Sequence, residues 1–202
     1  MLTLYDFLIS GNGFKVRLLL RLLGRPFQLV EKDILKGETR TPEFLRLNPN
    51  GRIPVLQLED GRCLSESDAI LFYLAEGTPY WPEDRLERAQ VLQWMFFEQY
   101  NHEPNIATRR FWLHFPELMD DVRRAQLETK LAQGYAALDV MERRLGEAPY
   151  LVGGRFTIAD IALYGYTHVA DEGGYDLQRY PAIRAWLARV RERPGYAPIT
   201  QR

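Results

Sequence analysis

Cysteine is nearly missing from this sequence: Cys63 is the only one in 202 residues. A single thiol excludes an intrachain disulfide, and with no Cys-x-x-Cys pair the chain carries no dithiol couple of its own. Histidine is scarce, at three residues, and no metal is expected. Neither sign of charge dominates, with 26 Lys and Arg against 27 Asp and Glu. That balance argues against a nucleic-acid partner, which asks for a basic surplus. The longest apolar runs fall far short of the roughly 20 residues that span a bilayer, so no membrane association is expected. The N-terminus lacks the charged and apolar regions of a secretory signal, and a cytoplasmic protein is the expectation.

What is present is ample core material, 46% apolar and 12% aromatic. The length suits one large domain or two small ones. The chain changes character near residue 77. Before it, Leu2–Phe7 and Phe27–Lys32 have strand character, and Phe14–Leu23 has helical spacing at Val16, Leu19, Leu20 and Leu23. Thr41-Pro42 has the chemistry of a helix start. Ile53–Leu58 and Arg62–Leu64 flank Asp60-Gly61, which predicts a hairpin with a type I′ turn. Ser65–Ala75 is predicted as a helix capped by Ser65, with Asp68 three residues on. The order β-α-β-α-β-β-α, a parallel unit followed by an antiparallel hairpin, is a thioredoxin-like arrangement.

Beyond the linker 77–84, strand signals almost vanish. Helices are predicted over Arg85–His102, stopped by Pro104, and over Ile106–His114, stopped by Pro116. A long one over Leu118–Leu145 ends at Gly146, and Thr157–Val169 and Ala182–Glu192 complete the set. The expected division is an α/β domain over 1–76 and an all-α domain over 85–202.

Three short segments carry chemistry. Gly11-Asn12-Gly13 lies between the first strand and first helix, with Glu31 twenty residues after Gly11. This imitates a dinucleotide fingerprint, but Val16 stands at the third glycine, so that fold's close helix–strand contact is not expected. What remains is a turn where Ser10 and Asn12 offer hydrogen-bonding groups at a helix N-terminus, a place that favours an anion such as a thiolate. Ser10 can equally be a plain helix cap. In Asn48-Pro49-Asn50-Gly51-Arg52-Ile53-Pro54, Pro54 at a strand entry suits a cis bond that offers the backbone of Ile53 to a peptide-like ligand, or is an ordinary loop proline. At the third helix Ser67 can bind a carboxylate and Glu66 an ammonium, and the same residues make good capping.

Together these segments resemble a glutathione transferase over essentially the whole chain. The resemblance implies the fold of that family, a thioredoxin-like N-terminal domain joined to an all-helical C-terminal one. It places Ser10 and Asn12 at the glutathione sulfur, Ile53 and Pro54 at its cysteinyl backbone, and Glu66 and Ser67 at its γ-glutamyl end. Gly37-Glu38-Thr39-Arg40-Thr41-Pro42 resembles the loop that presents a basic residue to the glycine carboxylate, which gives that role to Arg40 together with Arg52. Phe156-Thr157-Ile158-Ala159-Asp160 resembles the family's second-domain folding signature and makes Asp160 structural.

By the same resemblance, glutathione is the co-substrate and no metal takes part. The activity is attack of the glutathione thiol on an electrophilic small molecule, in the manner of a detoxification enzyme. Alternatives are reduction of a small disulfide, as in the bacterial Nu-type members, or a non-catalytic protein that keeps the fold. A cysteine thiol titrates near 8.5, and lowering that by two pH units asks for about 2.7 kcal/mol of selective thiolate stabilisation. The absence of tyrosine or cysteine at position 10 excludes the tyrosine-type classes and argues against a mixed disulfide on the protein; Tyr5 is a rival for the sulfur. The helical domain is expected to supply the electrophile site from Tyr100, His102, Asn105, Arg109 and Trp112, with His102 as a possible proton donor. A homodimer is expected, paired through the third helix.

Overall fold

The computed structural model describes residues 1–202, which divide into two compact units. The first comprises Met1–Thr78 and the tail Glu192–Arg202; the second is Pro79–Arg191. The tail thus groups with the α/β unit, whereas the sequence reading assigns it to the helical domain.

The first unit is a four-stranded sheet in the order β2-β1-β3-β4, built from β1 (Leu2–Asp6), β2 (Phe27–Glu31), β3 (Val55–Gln57) and β4 (Cys63–Ser65). β1 runs parallel to β2, in register Leu4 with Leu29, and antiparallel to β3, in register Leu4 with Leu56. β3 and β4 form the expected hairpin. Its turn differs from the expected one. Gly61 alone has a positive φ, 87°, whereas a type I′ turn needs two such residues. Gly61 N donates to Leu58 O at 3.0 Å and Leu58 N to Arg62 O at 2.8 Å, a three-residue loop with glycine in the left-handed position.

The parallel β1–β2 connection requires a crossover, supplied by α1 (Gly11–Leu22). Leu2, Leu4 and Asp6 alternate on the buried side of β1. The close helix–strand approach not expected without a third glycine is in fact made at Gly13, where an added Cβ would sit 1.6 Å from Asp6 Oδ1. Asp6 and Arg17 form a fully buried pair at 2.9 Å. Arg17 also donates to the carbonyls of Leu8, Ile199 (2.8 Å) and Gln201 (3.0 Å), which binds the C-terminal tail to this unit. Burial raises the carboxyl of Asp6 and the charge of Arg17 opposes that rise. α2 (Pro42–Leu47) is capped by Thr41, whose hydroxyl accepts from Phe44 N at 3.3 Å. α3 (Ser67–Ala75) packs against α1.

The second unit contains α4 (Arg85–Phe97), α5 (Glu103–His114), α6 (Asp121–Glu147), α7 (Ile158–Thr167) and α8 (Pro181–Arg191). Pro104 does not stop the chain's helical course. A π-turn over Glu98–His102 leads from α4 into α5, with Glu103 N bonded to Glu98 O, and Pro104 falls in the first turn of α5 where no donor is required. Gly146 likewise lies inside α6, which ends at Glu147. All ten residues of α7 are buried, making it the centre of this unit. Asp160, in its first turn, gathers four donors: Leu151 N (3.1 Å) and Trp186 Nε1 (3.0 Å) on one oxygen, Thr157 N (2.9 Å) and its hydroxyl (3.3 Å) on the other. Burial outweighs these bonds and pushes the carboxyl up to about 6. No helix is long and apolar enough to cross a membrane.

Candidate functional site

The candidate residues of the first unit sit on four pieces of backbone: the start of α1, the loop before α2 that carries Arg40, the turn before β3 and the start of α3. At the start of α1, Ser10 is the N-cap, with extended backbone and its hydroxyl accepting from Gly13 N at a long 3.5 Å. A Ser in this place satisfies one of the helix's unpaired N–H groups, and both Ser10 and Asn12 remain partly exposed.

At the start of α3 the sequence expectation needs correcting. Ser65 is the last residue of β4 rather than the cap, and Glu66 takes the cap position with a φ of 68° and no capping side-chain bond. A non-glycine residue in that region costs of order 1–3 kcal/mol, and such conformations gather at ligand-binding places. The twist leaves Glu66 exposed and buries Ser67 at the first position of the helix.

These two helix starts meet. Ser67 Oγ donates to Asn12 Oδ1 at 3.5 Å. Beneath them Lys15, completely buried, places Nζ 3.4 Å from Ser67 Oγ and 3.4 Å from Asp68 Oδ1. The sequence reading gave Lys15 and Asp68 no function. The signal is in the spacing: Lys15 lies three and four residues before Leu18 and Leu19, on a helix face that these leucines make apolar and buried.

The turn before β3 is ordered by its own polar groups. Asn48, buried, donates from Nδ2 to Arg52 O at 2.8 Å and accepts from Asn50 N at 3.0 Å. Ile53–Pro54 is cis. The β1–β3 ladder begins at Val55, so Ile53 stands outside it. Arg40 is exposed and lies over this turn, donating to Asn50 O at 2.9 Å. Gly51, with φ 63°, makes the room: a Cβ there would come within 2.5 Å of Arg40 Nη1. Arg52 is exposed beside it.

Tyr5, the rival for the sulfur, points elsewhere. Its hydroxyl donates to Gln57 at 3.2 Å and its ring packs edge-on against Phe44 of α2, while α1 covers the Leu4 and Asp6 side of β1. Cys63 is half-buried in β4, its thiol pushed up by burial, the opposite of a reactive thiolate.

The five helical-domain residues have unlike surroundings. Tyr100 is 85% exposed, whereas His102 is fully buried with Nε2 2.8 Å from Thr167 Oγ1. Arg109 is buried and donates to Gly173 O at 2.8 Å, and Asn105 is buried and donates to Asn101 O at 2.7 Å. His102 and Arg109 thus tie helices together; a proton-donor role for His102 is not what this burial favours. Trp112 is partly exposed on α5.

Residues 1–76 match the family described as glutathione S-transferase, N-terminal domain, and residues 124–189 match its C-terminal domain. The chain belongs to the glutathione S-transferase family. A crystal structure of a glutathione S-transferase from Pseudomonas fluorescens superposes with a TM-score of 0.96 at 52% identity, over 99% of both chains. The disulfide-bond oxidoreductase YfcG of Escherichia coli is 34% identical, over 96% of this chain and 92% of that protein. Ure2p in complex with glutathione superposes with a TM-score of 0.87 at 29% identity, over 96% of this chain and 90% of that one.

Proposed function

We propose that this glutathione S-transferase family member binds glutathione and holds its thiol ionised for attack on a small electrophile. The observation that carries the reading is the meeting of the α1 and α3 starts, Asn12 against Ser67, beside the ordered turn at Ile53. The residues present fit the tripeptide in charge and in hydrogen bonding. Glu66 offers a carboxylate to the ammonium, and Ser67 offers a helix-start N–H to the neighbouring carboxylate. Ile53, outside the ladder, offers its backbone to the cysteinyl unit. Arg40 and Arg52 offer guanidinium groups to the far carboxylate.

Glutathione supplies the nucleophilic sulfur. Ser10 and Asn12 donate hydrogen bonds to the anion and the N-terminus of α1 adds its partial positive charge. A charge-assisted hydrogen bond contributes about 1.5–3 kcal/mol, so two of them and the helix suffice for the roughly 2.7 kcal/mol that ionisation near neutral pH requires. No protein base is needed.

A second reading, reduction of a small disulfide with two glutathiones, is favoured by the 34% identity to YfcG. In it the same Ser10 and Asn12 stabilise sulfur as attacking and as leaving group, and Cys63 takes no part. Calorimetric titration with glutathione tests binding. Turnover measured in parallel with an aryl halide and with a small disulfide then separates the two readings. Absence of glutathione binding overturns both. A cytoplasmic homodimer is part of the proposal, supported by the exposed Phe72 and Tyr73 on α3. Light scattering that returns a single 23.6 kDa particle overturns it.

A further inference from the structure

Arg17 is fully buried and stands where three segments cross. Its Nε donates to Asp6 at the end of β1 at 2.9 Å, its Nη2 to the carbonyl of Leu8, and its Nη1 to the carbonyls of Ile199 at 2.8 Å and Gln201 at 3.0 Å. The donors of a guanidinium form a rigid planar fork, so the acceptors on one edge help to set where the other edge lies. A buried guanidinium needs its donors answered, and the tail carbonyls are part of that answer.

Leu8 lies in the turn that leads into Ser10. Ser10 N donates to Phe7 O at 2.7 Å, which closes a four-residue turn with Leu8 and Ile9 at its centre. The carbonyl of Leu8 belongs to the central peptide of that turn, and the tilt of this peptide sets the course of the chain into Ser10. The Ser10 hydroxyl accepts from Gly13 N and keeps its own hydrogen to donate. The tail, for its part, is bound along α1. Gly195, with φ 88°, packs so close to the end of the helix that an added Cβ would lie 3.1 Å from Arg21 O. Ala197 and Ile199 are buried, and Gln201 O accepts from Arg21 as well, at 2.9 Å.

We propose that residues 195–202 form a strap on the sulfur site: bound along α1, they hold the Arg17 guanidinium against the Leu8 carbonyl and so fix the turn that aims the Ser10 hydroxyl at the glutathione sulfur. This rests on the proposed function for the role of Ser10. It gives Arg17 and the tail a positioning role, exerted through Ser10. With the tail released, Nη1 loses those two acceptors, water enters beside the guanidinium and its grip on Leu8 slackens. A hydroxyl on a loosened turn holds the thiolate less well, and ionisation of the thiol falls.

The test combines thiolate absorbance of the glutathione complex titrated with pH, glutathione affinity at low pH by calorimetry, and amide exchange at Ser10 and Gln201, whose N–H donates to Pro198 O at 3.0 Å. Ile199→Ala and Ile199→Asn weaken the anchor and keep every charge. The other variants are a deletion of residues 199–202, Arg17→Lys, and the deletion combined with Ser10→Ala or with Arg17→Lys. The expected result for Ile199→Asn and for the deletion is about three- to tenfold less thiolate at neutral pH, with affinity at low pH within about threefold of wild type. The Ser10 amide exchanges faster in both, while the ladder between β1 and β3 keeps its protection. Arg17→Lys keeps the positive charge but lacks the fork that reaches Leu8 and the tail together, so it shifts the titration in the same direction and the deletion adds nothing to it. The deletion adds nothing in the Ser10→Ala background either, because the group it positions is gone.

A variant that loses Gln201 protection and titrates like wild type overturns the strap and leaves the proposed function standing. A full shift by the deletion in the Ser10→Ala background overturns it too, and assigns a field effect or a general loosening. A wild type that binds glutathione without ionising it overturns the proposed function and the strap with it. If neither Ile199→Asn nor the deletion folds, Ile199→Ala and the wild type decide. The strap requires the Ser10 amide to open no more readily than the Gln201 amide, so a Ser10 amide that exchanges while Gln201 stays protected overturns it.

Discussion

Gly13 rests directly on Asp6, so closely that a Cβ at that position would overlap the carboxylate at 1.6 Å from Oδ1. Asp6 has nowhere to go, being fixed by Arg17 Nε at 2.9 Å and by Phe7 N at 2.7 Å. The turn that carries Ser10 and Asn12 is therefore set by a contact between the first strand and the first helix. Gly13→Ala should destabilise the fold by more than about 3 kcal/mol, since the overlap is with a held, fully buried group. Urea unfolding measures it. A cost under about 1 kcal/mol would show that α1 can lift off the sheet freely.

Arg17 joins that same carboxylate to the carbonyls of Ile199 and Gln201. Arg17→Met strands a buried Asp6 and should cost about 3–5 kcal/mol. The tail Glu192–Arg202 should lose amide-exchange protection at the same time, and Asp6→Asn added to Arg17→Met should recover part of the stability. Full protection of the tail in Arg17→Met would contradict the assignment.

Ser67→Ala should weaken glutathione binding by about 1–3 kcal/mol, because the start of α3 loses the hydroxyl that ties it to Asn12 and Lys15 and so holds its N–H in place for the ligand carboxylate. Glu66→Ala should weaken it as well, through loss of the ammonium partner. Calorimetric affinities equal to wild type in both variants would remove the start of α3 from the binding site.

Ser10→Ala should slow conjugation by about 10- to 100-fold, equivalent to about 1.4–2.7 kcal/mol, with little change in stability. Asn12→Ala should behave similarly and the double variant should be less than additive, since both groups meet one sulfur. Tyr5→Phe should titrate like wild type, as its hydroxyl is engaged with Gln57. A large loss of thiolate in Tyr5→Phe would return the activating role to Tyr5.

Asp160 makes stability depend on pH in a definite direction. Its folded carboxyl is raised from 3.8 to about 6, so between those values the folded chain keeps a proton that the unfolded chain releases. Stability is therefore greatest, as far as this group is concerned, below about pH 4. It falls as pH rises to about 6, by an amount on the order of 3 kcal/mol. The carboxyl carbon-13 resonance of Asp160 should titrate near 6. A midpoint below 4 would mean that its four hydrogen bonds outweigh burial.

The sequence by itself determined the family-level architecture. Local rules sufficed for Thr41-Pro42 at the start of α2 and for the existence of the Asp60-Gly61 hairpin, though not for its turn type, because a helix start or a chain reversal is settled within a few residues of backbone. Ser10, Asn12, Glu66 and Ser67 stand out as candidates from local sequence because they lie at helix starts, and Pro54 because it enters a strand, whereas Arg40 and Arg52 are candidates only through the family resemblance. Where the sequence reading failed, a distant partner had overruled the local signal. The π-turn at Glu98–His102 carries the helical course past Pro104, and the strained Glu66 displaced Ser65 from the cap. Asp6, Lys15 and Arg17 are charges on faces that local pattern makes apolar, and only the folded chain supplies what answers them: Arg17 for Asp6, the carbonyls of a tail 182 residues or more away in sequence for Arg17, and Ser67 and Asp68 for Lys15. A buried charge is stable only with its partner in place, and which residues become partners is decided by packing across the sheet and between helices, which no stretch of sequence contains.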